Sequence, residues 1–116
     1  MKILLLTLVL AGLLSSQACA HAFLQKANPG AGAEVSGSPP ALILTYTEPV
    51  EPLFTTVAVT NAAGTSFVAG KTTSRDGGRT VVVPLATLPP GDYAVAWHAV
   101  SVDTHKTDGH FSFTVK

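Results

Sequence analysis

DYAVAWHAVS, residues 92–101, alternates side chains with a period of two and shows no helical period. In an extended chain that pattern places Tyr93, Val95 and Trp97 on one face and Ala94, Ala96 and His98 on the other. The same period recurs outward in both directions. HFSFTV (110–115) puts Phe111, Phe113 and Val115 together, and FTTVAVTN (54–61) alternates cleanly before Asn61-Ala62-Ala63-Gly64. Upstream lie AFLQKA (22–27), stopped by Asn28-Pro29-Gly30, and ALILTYT (41–47), stopped by Glu48-Pro49. SFVAG (66–70) reads as a short edge strand. RTVVVPL (79–85) carries Pro84 late, as suits an edge or a strand end. The Gly/Ser/Pro stretch 31–40 and the polar stretch ending at Asp76-Gly77-Gly78 read as loops.

Seven short strands with turn signals between them predict an all-β domain, a β-sandwich or small barrel. Immunoglobulin-like and cupredoxin-like arrangements are the near variants. The large alternating residues, with Tyr46 and Trp97 among them, form the expected core.

The first twenty residues have a different character. Lys2 precedes the apolar run 4–14, and Ala18-Cys19-Ala20 has the small-x-small form of a signal-peptidase site. The expected division is a secretory signal over 1–20 and one domain over 21–116, with His21 its first residue after cleavage. Acylation at Cys19 is the alternative, and Ser16 stands where that processing favours an aliphatic residue. The chain's one Cys and one Met, Cys19 and Met1, both fall within the segment to be removed. The exported domain then has neither thiol nor thioether, so it forms no disulfide and ligates metals through nitrogen and oxygen alone. The formal net charge of the whole chain is zero, with seven basic and seven acidic residues. No basic stripe or aromatic platform offers a nucleic-acid footprint. No apolar run after residue 20 is long enough for a transmembrane helix, so a soluble domain is expected.

Chemistry concentrates in WHAVSVDTHKTDGH (97–110), which holds three of the four histidines. Asp103 and His105, two apart, share a side if the backbone is extended, and a carboxylate beside an imidazole suits a borderline metal ion. A free N-terminal His21 adds two nitrogens, its α-amine and Nδ1, closing a six-membered chelate ring. The α-amine gives up its proton far more readily than a lysine, with a reference pKa of about 8. Three nitrogens and one oxygen without sulfur match the tetragonal preference of copper(II). Each residue also has a plainer reading: His21 as whatever the peptidase leaves first, Asp103 as a turn residue, His105 as a solvated loop histidine. His98 reads as a surface or sheet-packing histidine beside Trp97, and His110 as a strand-end histidine. Glu48 reads as an acceptor behind the site, a weak axial ligand or a strand-end carboxylate, and Glu51 as surface.

The start His21-Ala22, TYTEPVE (45–51) and PPGDYAVAWHAVSVDTHKTDGHFSFTV (89–115) together resemble the CopC family of periplasmic copper-resistance proteins. The C-terminal pattern stands here as Trp97, Ser101, Asp103, His105, Gly109 and Phe113. The resemblance implies a seven-stranded Greek-key β-sandwich and one copper(II) ion per chain, held by His21, Asp103 and His105, with Glu48 near the site. It further implies a periplasmic protein that buffers or carries copper, with an inner-membrane transporter of the CopD type as partner. Some members add a copper(I) site built on a Met-rich loop, which this composition does not supply. His98 departs from the arginine common beside the tryptophan, so it is either neutral or an addition to the site. Two rivals remain: a copper enzyme resembling polysaccharide monooxygenases, which also use an N-terminal histidine, and a metal-free sandwich acting as an interaction module.

Overall fold

The computed structural model describes residues 21–116; the expected signal segment lies outside the described residues. The chain forms two four-stranded sheets, ordered β1-β3-β6-β5 and β2-β8-β7-β4. The strands are β1 (Leu24–Asn28), β2 (Glu34–Val35), β3 (Ala41–Tyr46), β4 (Thr56–Thr60), β5 (Thr73–Arg75), β6 (Thr80–Pro84), β7 (Gly91–Val100) and β8 (Lys106–Val115). All neighbours are antiparallel except β2, which runs parallel to β8. The all-β sandwich expected from the alternation is the architecture found.

The inward faces are those the period of two assigns. Tyr93, Val95, Trp97 and Ala99 of β7 are buried and alternate with exposed neighbours. Leu42, Leu44 and Tyr46 of β3 and Val81 and Val83 of β6 face them from the other sheet. Phe113 and Val115 complete the layer, while Phe111 is only half-buried against its margin. Each large aliphatic side chain so removed from water contributes about 1.5–3 kcal/mol.

Trp97 is the keystone. Its ring meets Tyr46 edge-on across the two sheets, with centroids 5.3 Å apart and planes at 73°. Its β8 partner is Gly109, where a Cβ would come within 2.7 Å of the indole. A side chain at 109 has no room, and the glycine lets β8 close onto the ring. This pair lies within the ten-residue β7–β8 register, which runs from Gly91↔Val115 to Val100↔Lys106.

Tyr46 carries a cost. Its hydroxyl is buried without a hydrogen-bond partner among the described residues, and burial pushes its pKa far above the ordinary tyrosine value. A buried polar group left unpaired costs about 1–3 kcal/mol. Tyr46→Phe keeps the ring against Trp97 and removes that cost. Chemical denaturation of the variant is expected to show stability equal to the parent or about 1 kcal/mol higher; a clear loss would reveal a partner for the hydroxyl.

Three expectations about strands change. SFVAG (66–70) is not a strand, because it crosses between sheets: Ser66 bridges Thr60 beside one sheet and Val68 bridges Leu85 beside the other. It keeps Phe67 edge-on to Tyr93 at 5.3 Å. The stretches read as loops hold two short strands instead, β2 and the fully exposed β5. β5 lies at a sheet edge with no buried face, so it shows no alternation to read. β8 begins at Lys106 rather than His110, which shrinks the expected 102–109 loop to a tight turn. Pro84 ends β6, an inner strand between β3 and β5, as its position late in the run suggests.

Candidate metal centre

β1 runs antiparallel to β3, with Leu24 opposite Tyr46, so the N-terminal segment starts where β3 ends. The loop after β3 returns past the turn between β7 and β8, since Val50 bridges Ser101. His21, Glu48, Asp103 and His105 therefore all lie at one end of the sandwich.

Specific polar contacts seat His21 there. Phe23 N–H donates to the Thr47 hydroxyl at 2.9 Å, and Thr47 N–H donates to the Phe23 carbonyl at 2.8 Å. The same hydroxyl donates to the His21 carbonyl at 3.3 Å. From the other sheet, the Thr107 hydroxyl donates to the Ala22 carbonyl at 2.7 Å, and Ala22 is buried. The first residues are thus stitched to both sheets, although β1 proper begins only at Leu24.

Ser101 organises the turn. It is buried, and its N–H donates to the His105 carbonyl at 2.9 Å. Its hydroxyl accepts from His105 N–H at 3.2 Å and donates to Asp103 Oδ1. Thr104 N–H closes back on the Ser101 carbonyl at 2.9 Å, with Thr104 at φ +73°. Asp103 and His105 meet because this turn curls around Ser101, not because the backbone is extended as the two-residue spacing suggested. Asp103 Oδ2 lies 3.2 Å from His105 Nδ1. The His105 ring stands edge-on to the His21 ring, with centroids 4.5 Å apart and planes at 66°. Among the described residues no three His, Asp or Glu side chains converge on one point as they stand.

The Ser101 hydroxyl, donating to the carboxylate, holds the Asp103 pKa below the ordinary carboxylate value; desolvation opposes this, and hydrogen bonding and charge from His105 assist it. Hydrogen bonding to the charged form favours that form. Because the folded-state pKa is depressed, the linked stabilisation is present above the ordinary carboxylate pKa. It is lost as the pH falls through the folded value. Ser101→Ala is expected to raise the Asp103 midpoint toward the ordinary carboxylate value, read by carboxyl carbon-13 NMR titration. An unmoved midpoint would show that Ser101 is not its cause.

Of the sequence candidates, the structure gathers His21, Asp103 and His105. Glu48 is exposed in the loop at the same end, next to Thr47. Glu51 lies in that loop, half-buried, its N–H donating to the Val100 carbonyl at 2.7 Å. His98 is not brought to the cluster; it lies on the outward face of β7, opposite Thr56 and Asp108. His110 is outward too, opposite Ala96. The roles of Thr47 and Thr107 were not legible in the sequence, since a threonine at a strand end or in an expected loop gives no sign of a partner distant in the chain. Phe23, Leu53, Phe54 and Val102 are the large apolar side chains exposed among the described residues, and all four belong to the segments at this end. The Phe23 ring lies 5.9 Å from that of His21.

The CopC domain model matches residues 24–116, beginning just after His21. Protein YobA of Escherichia coli K12 is 38% identical over 114 residues, covering 96% of this chain and 91% of that protein. The copper transport protein CutJ of Bacillus subtilis is 34% identical over 115 residues, covering 97% of this chain but 21% of that much longer protein. Among solved structures, CopC from Methylosinus trichosporium OB3b superposes with a TM-score of 0.77 at 29% identity, over 83% of this chain and 94% of that one. The methionine-rich copper resistance protein PcoC of Escherichia coli gives 0.72 at 31% identity, over 84% and 100%. By family model, sequence and fold together, this chain belongs to the CopC family.

Proposed function

We propose that this protein is a periplasmic copper(II)-binding protein of copper homeostasis and resistance. In this reading residues 1–20 are a signal removed after Ala20, and residues 21–116 are the functional domain. One copper(II) ion per chain is held by the His21 amine and imidazole, the Asp103 carboxylate and the His105 imidazole. The observation that carries the reading is the approach of the His21 and His105 rings to 4.5 Å beside the Asp103 carboxylate. A His105 Nδ1–H donated to Asp103 leaves Nε2 as the ligating nitrogen, and a carboxylate oxygen accepting one hydrogen bond keeps a lone pair for the ion. Glu48 is an outer acceptor at the rim.

Names borne by relatives support copper as the cargo: copper resistance protein C in Xanthomonas campestris and copper transport protein CutJ. The role we favour is buffering or delivery, not catalysis. A carboxylate with three nitrogens fills the plane around copper(II), where an oxidase needs an open position for oxygen. Delivery goes to an inner-membrane transporter of the CopD type. The exposed apolar side chains Phe23, Leu53, Phe54 and Val102 in the segments at this end support a protein partner there, since exposed apolar patches mark interaction surfaces.

Reduction tests the ligand set. Copper(I) prefers thiolate and thioether, and the one Cys and one Met of the chain lie within the first twenty residues. Ascorbate added to the copper(II)-loaded protein is therefore expected to release the ion to a copper(I) chelator. Retention after reduction would mean that the ligand set is wrong.

A further inference from the structure

His98 and His110 take no part in the cluster around His21, yet the fold places them together. β7 and β8 are antiparallel with His98 opposite Asp108 and Ala96 opposite His110. Directly opposed residues share a face, and so do residues two apart on one strand. His98, Asp108 and His110 therefore project from the same outward face, and all three are exposed. Asp108-Gly109-His110 repeats the Asp-x-His spacing of Asp103-Thr104-His105, here within a true strand. The same-side geometry that fails for the turn holds for this pair.

The surroundings favour convergence. Gly109 lies against the Trp97 indole, which fixes the register that sets Asp108 across from His98. His110 is diagonal to His98, a separation of about 7–8 Å between backbones that long side chains span. Ala96 and, beyond it, Ala58 of β4 are the neighbours over which its ring can lean, and neither blocks the way. Thr56, opposite His98 on β4, adds a hydroxyl at the margin.

We infer that His98, Asp108 and His110 form a second divalent transition-metal site on the outward face of the β7–β8 hairpin. The side chains do not converge as they stand; rotation about exposed side-chain bonds, without movement of the sheet, brings two imidazole nitrogens and one carboxylate oxygen onto one ion. Imidazole selects zinc, nickel or copper(II) over magnesium and calcium. Three protein ligands on an open face leave the remaining positions to water, so the ion exchanges readily and binds after the His21 site is full. The site rests on strand register alone and does not depend on the identity of the first one.

The test uses nitrogen-15-labelled protein beginning at His21, loaded with one equivalent of copper(II) and titrated with a second. The second equivalent is expected to add broadening centred on the amide signals of residues 96–98 and 108–110, beyond that centred on the 101–105 turn by the first, from which His98↔Asp108 is two residue pairs along the hairpin. His98→Gln, Asp108→Asn and His110→Gln are each expected to abolish that second set while leaving the first unchanged. Absence of the second set, or its persistence in any one of the three variants, overturns the proposal. Failure of the His21 site would show separately, as absence of the first set.

Discussion

Protein carrying one extra alanine before His21 is expected to lose tight copper(II) binding and keep its fold. The extension converts the α-amine into an amide, whose nitrogen no longer offers a free lone pair, and breaks the six-membered chelate ring with Nδ1. In the proposed ligand set what remains is the His21 imidazole, His105 and Asp103, and the new alanine amine lies one residue too far to close the same six-membered ring. Loss of an outer-shell partner alone weakens metal sites by about 10–100-fold, so losing a direct ligand and its ring should exceed that range. The backbone contacts that seat the segment use the carbonyls of His21, Ala22 and Phe23 and the N–H of Phe23, none of which the extension removes. Circular dichroism and thermal midpoint should therefore match the parent. Unchanged affinity would end the N-terminal reading.

Trp97→Ala is expected to cost about 3–5 kcal/mol, the range for truncating a large buried aromatic. Total stability of such domains is about 5–15 kcal/mol, and the single Cys of this chain, Cys19, leaves no disulfide to make up the loss. The indole is 6% exposed, packs edge-on to Tyr46 and fills the space that Gly109 leaves open. Its removal leaves a cavity that neither sheet can close without shifting the β7–β8 register. At about 4–8 °C per kcal/mol, the thermal midpoint should fall by more than about 12 °C. A urea-denaturation loss below about 1 kcal/mol would show that the two sheets do not depend on this ring.

The core was legible because period-two alternation survives in β3, β4, β7 and β8, where one face is buried and the other wet. It was not legible at the edges. β5 is exposed on every residue and β2 is two residues long, so neither carries an apolar face to detect. SFVAG has the composition of a strand but changes partner sheet halfway, a tertiary fact that local pattern cannot contain. At the centre, residue types alone suggested His21, Asp103 and His105. The reason given for Asp103 and His105, an extended backbone, applies instead to Asp108 and His110. What joins the first pair is the buried hydroxyl of Ser101, and what holds His21 beside them are Thr47 and Thr107, polar side chains whose roles appear only once both sheets are assembled.

The most direct measurement is a copper(II) titration of protein beginning at a genuine His21, followed by electron paramagnetic resonance on the product. A tight first equivalent is expected, with a tetragonal signal carrying about three nitrogen couplings, absent from the form extended before His21. No tight binding, or the same signal from the extended form, would contradict it, and the first of those outcomes would leave a sandwich that acts without the metal.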